Sequence, residues 1–356
     1  VALTRRRSAV PASLTDVGGR AEHVILELLD REITRWREID PSLEEPLVGL
    51  RDLVLAGGKR LRPAFCYWAF VGAGGDPGDM QVVHAGAALE LLHTFALVHD
   101  DVMDGSSMRR GLPAIHVGAA ARHQERAWRG DASRFGEGSA ILVGDLAFVY
   151  ADMAFGEAPV AARRVFDELR VELCIGQYLD LVGMASASND PAQAERIERY
   201  KSGKYTVERP LHLGAALAGR LDDLAAALSA VGVPLGQAFQ LRDDLLGVFG
   251  DVAATGKPVG DDLREGKLTP LLAVTASRVD ADGAELLARV GAPDISDDDV
   301  AALQRLFADT GARDEIERSI EDLVARALDA LAHAPLAGEA RDALGELATF
   351  VAWRDR

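Results

Sequence analysis

Two cysteines in 356 residues are too few for a disulfide framework, and Cys66 and Cys174 lack metal-ligand spacing. Both fall in apolar helical runs, so the expectation is two small buried side chains in a reducing, cytoplasmic setting. Basic charge is also short: 39 Lys and Arg face 56 Asp and Glu, a net charge of −17. That balance excludes nucleic acid as a partner, because phosphate backbones need a basic surplus. Any anionic substrate must be met by local basic clusters or metal ions, against the overall field. Long apolar runs are missing too. ALELLHTFALV is broken by Glu and His and is too short to span a bilayer. No apolar segment follows the basic opening VALTRRRSAVPASLTDVGGR, so no secretory leader is expected, and residues 1–20 are read as a mobile tail. Period-two alternation does not recur, which argues against a sheet.

Apolar residues at three- and four-residue steps are abundant. AEHVILELLDREITRWREI, MQVVHAGAALELLHTFALVHDDVMD, ARRVFDELRVELCIGQYLDLVG and VPLGQAFQLRDDLLGVFG all carry the pattern. Gly and Pro punctuate it at LVLAGGKRLRP, GAGGDPGD, RRGLPAIHVG and FGDVAATGKPVG. Residues 122–139, RHQERAWRGDASRFGEGS, have loop character. With no evident linker, the expectation is one all-α domain over residues 21–356.

Asp100, Asp101 and Asp104 close a greasy run in HDDVMD. Four-residue spacing puts Asp100 and Asp104 on one helix face, with Asp101 rotated away. A divalent cation relieves the repulsion of such a pair, and Mg²⁺ suits hard carboxylate oxygens. An acidic helix end in water is the plainer alternative. A second pair, Asp243 and Asp244, lies in QLRDDLLGVFGD, but the position four after Asp243 is Gly247. Asp251, Asp261 and Asp262 follow in a Gly- and Pro-containing stretch. Two facing acidic clusters would be costly without cations between them. Basic residues gather at GGKRLRP (Lys59, Arg60, Arg62) and RRG (Arg109, Arg110). Arginine's planar fork suits phosphate oxygens, although surface ion pairing or neutralising the acidic motif is equally open from spacing alone. RYKSGKYT adds Lys201, Ser202, Lys204 and Tyr205 near the end of a polar helix. Gln177 and Asp180 sit on a mainly apolar helix, where a polar pair needs partners.

In this order, GGKRLRP, LLHxxxLxHDDxxD with RRG, GQYLDL, YKS and FQLRDDLLGVFGD–TGKPVGDDLREGK resemble the trans-isoprenyl diphosphate synthases, the polyprenyl synthetase family. The motifs run from residue 57 to 267. The resemblance implies antiparallel helices around a deep central cavity, a homodimer, and three Mg²⁺ ions per site. It implies ionisation of an allylic diphosphate, attack by isopentenyl diphosphate on the carbocation, and proton loss. Asp100 and Asp104 are then expected to hold two metal ions with Asp101 in support, and Asp243 the third, with Asp244 and Asp262 nearby or acting through water. Lys201, Lys257 and Arg109 are assigned to the allylic diphosphate. Lys59, Arg62, His93 and Arg110 are assigned to isopentenyl diphosphate, and Lys267 joins the substrate-binding set. Ser202 and Gln240, with the Lys201 carbonyl, are placed at the developing cation, and Asp180 and Gln177 line the reaction centre. Two departures stand out: Gly247 replaces the last Asp of the second motif, and Ser202 stands where Thr is common.

The family sets chain length just before the first aspartate motif, one to two helical turns deeper in the cavity. Phe95 and Ala96, one aromatic and one small residue ahead of a short DDxxD, resemble the geranylgeranyl synthases and suggest a C20 product. The alternatives are a C15 or longer product, or a non-catalytic partner subunit kept open by Gly247. A class I terpene cyclase is disfavoured, because NDPAQAERI lacks the Ser and the spaced Glu of its second metal motif.

Overall fold

The computed structural model describes residues 10–186, 193, 196–197, 199–250 and 259–353. They are almost wholly helical, as the 3.6-residue periodicity requires; a two-stranded hairpin, β1 (Met108–Arg109) with β2 (Leu112–Pro113), is the only sheet among them. They divide into two compact units.

The first unit comprises Ala12–Tyr67 and Asp76–Ala158. It holds α1 (Ala12–Arg37), a 3₁₀ turn (Pro41–Leu43), α2 (Glu44–Leu55), the start of α3 (Leu61–Gly72), α4 (Met80–Asp104), the hairpin, α5 (Ile115–Glu125) and α6 (Ala132–Phe155). α4 packs on α6 and on α1, and α5 packs on α6. Asp79 caps the α4 N-terminus, accepting from the Gln81 N–H at 2.8 Å, and Gly105 ends the helix with φ 68°. That left-handed residue stops α4 immediately after Asp104.

Two sequence expectations are corrected here. α1 already begins at Ala12, so residues 12–20 are not tail: Leu14 and Val17 are buried because they continue the apolar stripe of Ala21, Val24, Ile25 and Leu28. Within 122–139 only 126–131 lie outside helices. Asp131 accepts from the Arg134 N–H at 2.8 Å and starts α6 there, a capping signal hidden in a polar stretch.

The second unit draws on Trp68–Gly75 and the described residues from Pro159 onward. Its helices are α7 (Val160–Ser186), α8 (Arg209–Leu217), α9 (Leu221–Phe249), α10 (Asp261–Glu265), α11 (Pro270–Ala276), α12 (Ala281–Leu287), α13 (Asp297–Asp309), α14 (Ala312–His333) and α15 (Gly338–Trp353). Between α7 and α8, residues Arg199–Glu208 form a π-helix, where an ordinary helix was expected. It lies against α7 and α9. Glycines on both neighbours make room for its wide backbone. A Cβ at Gly176 would overlap the Lys201 backbone, and one at Gly236 the Gly203 carbonyl; at Gly232 it would sit 2.8 Å from the Glu208 Cα. A buried carboxylate staples the segment down: Glu172 accepts from Lys204, and from Arg209 at 2.6 and 2.7 Å.

Three helices, α4, α6 and α9, are long and apolar enough to cross a membrane by length and composition, contrary to the expectation that no run reaches that length. In the fold they are packed, with 67%, 44% and 56% of their apolar windows buried. Cys66 is buried as expected, and burial pushes its thiol up. Cys174 is not: it lies exposed on α7 beside Val171, Ile175 and Tyr178, a face whose apolar character mimicked core.

Candidate active site

The last turn of α4 carries the first acidic motif. Asp100 and Asp104 lie half-buried on one face, as their spacing dictates, while Asp101 is 1% exposed. Arg109 on β1 donates to Asp101 Oδ1 through Nε at 2.8 Å and again through Nη2. Arg109 is therefore ion-paired with Asp101, one of the roles its spacing had left open.

Beside it, in the same unit, stands a basic cradle. Arg62, Arg110, Arg109 and Arg60 all act on His93 of α4, and burial together with their charge pushes its imidazole well below the ordinary histidine value. Arg110 adopts φ 53° and donates to the Leu53 carbonyl at 3.0 Å. Its own ionisation is pulled down to about 10 by burial and by Arg60, Arg109 and Arg62, against the opposing pull of Glu90. A Cβ on Gly58 would stand 2.8 Å from Arg110 Nη2, so the glycine of GGKRLRP admits that guanidinium. Lys59, the next residue along the chain from Gly58, is half-buried. Arg60 and Arg109 are also tied to carboxylates, so Arg62 and Arg110 are the cations beside this imidazole suited to seat a multivalent anion.

The sequence groups Arg60 with Lys59 and Arg62 in the basic cluster but gives it no part in the family assignment. The structure turns it inward at φ 51°, donating to Glu90 at 2.6 Å, to Glu22 at 2.7 Å and to the Val54 carbonyl at 2.7 Å. Burial alone would lower its ionisation, but Glu90 and Glu22 outweigh that and hold it raised. The available signal was Glu90 itself, the one acid inside ALELLHTFALV.

The second unit holds the remaining residues. Lys201, on the π-helix, pairs with Asp180 of α7 at 2.5 Å; Gln177 and Ser202 are half-buried in the same two elements. On α9, Asp244 is buried and accepts from the Gln240 amide at 2.7 Å, leaving Asp243 as the half-buried member of the pair. Lys267 donates to Asp262 Oδ1 at 3.0 Å and pairs with Glu265 at 2.8 Å. Lys257 and Asp251 lie outside the described residues.

The donor chemistry fits Mg²⁺. Asp100 and Asp104 offer only carboxylate oxygens one helical turn apart, the ligand type that ion takes once or twice while filling its shell with water and phosphate. Among the described residues no three His, Cys, Asp or Glu side chains converge as a closed cage.

Phe95 sits half-buried on α4, five residues before Asp100, with Ala96 beside it. It meets His99 edge-on at 4.7 Å and Phe148 of α6 at 5.0 Å. His99 fits a notch at Gly144, where any Cβ would overlap its ring.

Among the described residues, an almost wholly helical fold, two carboxylate pairs on helices and an arginine cradle suit chemistry on diphosphates with divalent ions. The comparisons narrow it further. The polyprenyl synthetase family model matches residues 45–307, and the chain belongs to that family. It is accordingly a trans-prenyltransferase. A geranylfarnesyl diphosphate synthase of Aeropyrum pernix is 32% identical, covering 92% of this chain and 99% of that one. A geranylgeranyl diphosphate synthase of Mycobacterium tuberculosis is 36% identical over 78% of this chain and 75% of the relative. Among solved structures, geranylgeranyl pyrophosphate synthase from Corynebacterium glutamicum, complexed with isoprenyl diphosphate and magnesium, superposes with a TM-score of 0.91. The two are 36% identical, and the match covers 96% of this chain and 99% of that one.

Proposed function

We propose that this chain condenses isopentenyl diphosphate with allylic diphosphates and releases mainly the C20 product, geranylgeranyl diphosphate. The observation that carries the reading is the crowding of Arg62 and Arg110, with Arg109 and Arg60, around His93, a second anion seat beside a metal-type carboxylate pair, to which Lys59 is also assigned. One seat would suffice for an enzyme that only ionises an allylic diphosphate; condensation needs two.

In this reading Asp100 and Asp104 would hold two Mg²⁺ ions and Asp243 a third, with Asp101, Asp244 and Asp262 in support, and ions held there would supply charge neutralisation for the departing diphosphate. Lys201 and Lys257 bind the allylic diphosphate, and so does Arg109, which reaches it from its bond to Asp101. Lys267 stands behind Asp262. The Lys201 carbonyl, Ser202 and Gln240 stabilise the developing allylic cation, with Asp180 orienting Lys201 and Gln177 beside it. The apolar residues ahead of Asp100 keep water from the cation, and Phe95 with Ala96 sets where the growing chain stops. The catalytic domain includes α1 from Ala12, ahead of the boundary at residue 21 expected from the sequence, and is assigned to the cytoplasm.

Exposed apolar faces on α6 (Leu142 64%, Val149 52%) and on α7 (Val171 60%, Tyr178 66%) support a homodimer. Incubating the purified chain alone with farnesyl and isopentenyl diphosphates and Mg²⁺ tests the reading. A C20 diphosphate is expected; no turnover would favour the partner-subunit alternative.

A further inference from the structure

Gly247 breaks the second acidic motif, and the structure shows what stands in its place. Gly247 lies one helical turn after Asp243 on α9, on the same face. A Cβ built there would overlap both Oδ2 and Cγ of Asp262, and would lie 3.0 Å from its Oδ1. Asp262 comes from α10, and its carboxylate fills the space that a side chain at 247 would enter. An aspartate at 247 would carry its own carboxyl carbon only ~1.5 Å from that Cβ. Two carboxylates would then compete for one place.

The surroundings favour this arrangement. Asp244 is buried against the Gln240 amide, so α9 alone presents Asp243 without a one-turn companion. Asp262 is held from behind by Lys267 at 3.0 Å, itself tied to Glu265. Gly260 and Gly266, at φ 71° and 73°, bound the five-residue α10 and turn it back toward α9. A side chain at either would be strained, so this return path is written into the sequence.

We propose that Gly247 and Asp262 are one functional unit: the glycine opens the space, and Asp262 supplies from α10 the carboxylate that the second motif lacks on α9. The motif is thereby complete in space although incomplete in sequence. The proposal rests on the prenyltransferase reading and adds that restoring the missing Asp on α9 harms the enzyme while Asp262 remains.

The test uses G247D, G247A, D262A and the double variant G247D/D262A in the full chain. Two readouts apply: the Mg²⁺ concentration giving half-maximal turnover, and the rise in melting temperature caused by Mg²⁺ with inorganic diphosphate. Each single variant should need at least 10-fold more Mg²⁺ and lose most of the ligand-induced rise. The double variant should recover most of both. A G247D protein with wild-type Mg²⁺ dependence would overturn the proposal, as would a double variant no better than its weaker parent. If G247D fails to fold by circular dichroism, G247A carries the steric part, because its methyl meets the same carboxylate. An inactive wild-type chain would instead reject the prenyltransferase reading.

Discussion

Single residues carry the electrostatics. His93 is held neutral by burial and by the arginines around it, so its folded pKa lies below the ordinary ~6.5. The unfolded chain therefore takes up a proton first on acidification. Stability attributable to this histidine is fully present above about pH 6.5 and is lost as pH falls through the folded value. His212 is lowered too, chiefly by burial, and acts in the same direction. Melting temperature should accordingly drop between pH 7 and 5.5, and H93Q should show a shallower drop; an equal slope in both proteins would contradict the assignment. At the acidic end of α4, replacing Asp100 by Ala should cost about 10²–10³-fold or more in kcat with helical content unchanged. Near-normal turnover would remove Asp100 from the metal site. That Asp100 and Asp104 share a helix face could be read from their spacing; the crowding of arginines around His93 could not, because spacing left their roles open. Arg60 could not, because whether an arginine faces ligand or core depends on Glu90 and Glu22, which meet it from 30 and 38 positions away.

Elements carry the geometry. Long helices were legible because apolar periodicity is local. The π-helix at Arg199–Glu208 was not, because its cause lies in glycines on α7 and α9 that let a wider backbone approach. G176A should test this: the added methyl meets the Lys201 backbone, so stability should fall by roughly 1–3 kcal/mol. Turnover should fall along with it because Lys201 is displaced. An unchanged melting temperature would show that the close approach is not required. The start of α1 was missed for a related reason. A basic, Pro-containing opening looks unstructured until Leu14 and Val17 find a core to enter. On α4, Phe95, the residue proposed to stop the growing chain, packs edge-on against His99 and Phe148. F95A should shift products beyond C20 in chromatography of the chains made from labelled isopentenyl diphosphate. An unchanged distribution would move the stop elsewhere.

At the scale of the molecule, an acidic protein of net charge −17 has to bind two diphosphates. The proposed solution is local: cations concentrated around His93, and carboxylates that bound metal ions would convert from repulsive to attractive partners. The most direct measurement is turnover by the purified chain alone, given dimethylallyl diphosphate and labelled isopentenyl diphosphate, with Mg²⁺ and then with a chelator. The account predicts a C20 allylic diphosphate with Mg²⁺ and no condensation once the ion is removed. Isopentenyl diphosphate left unconsumed with Mg²⁺ present, or consumed equally well with the chelator, would contradict it.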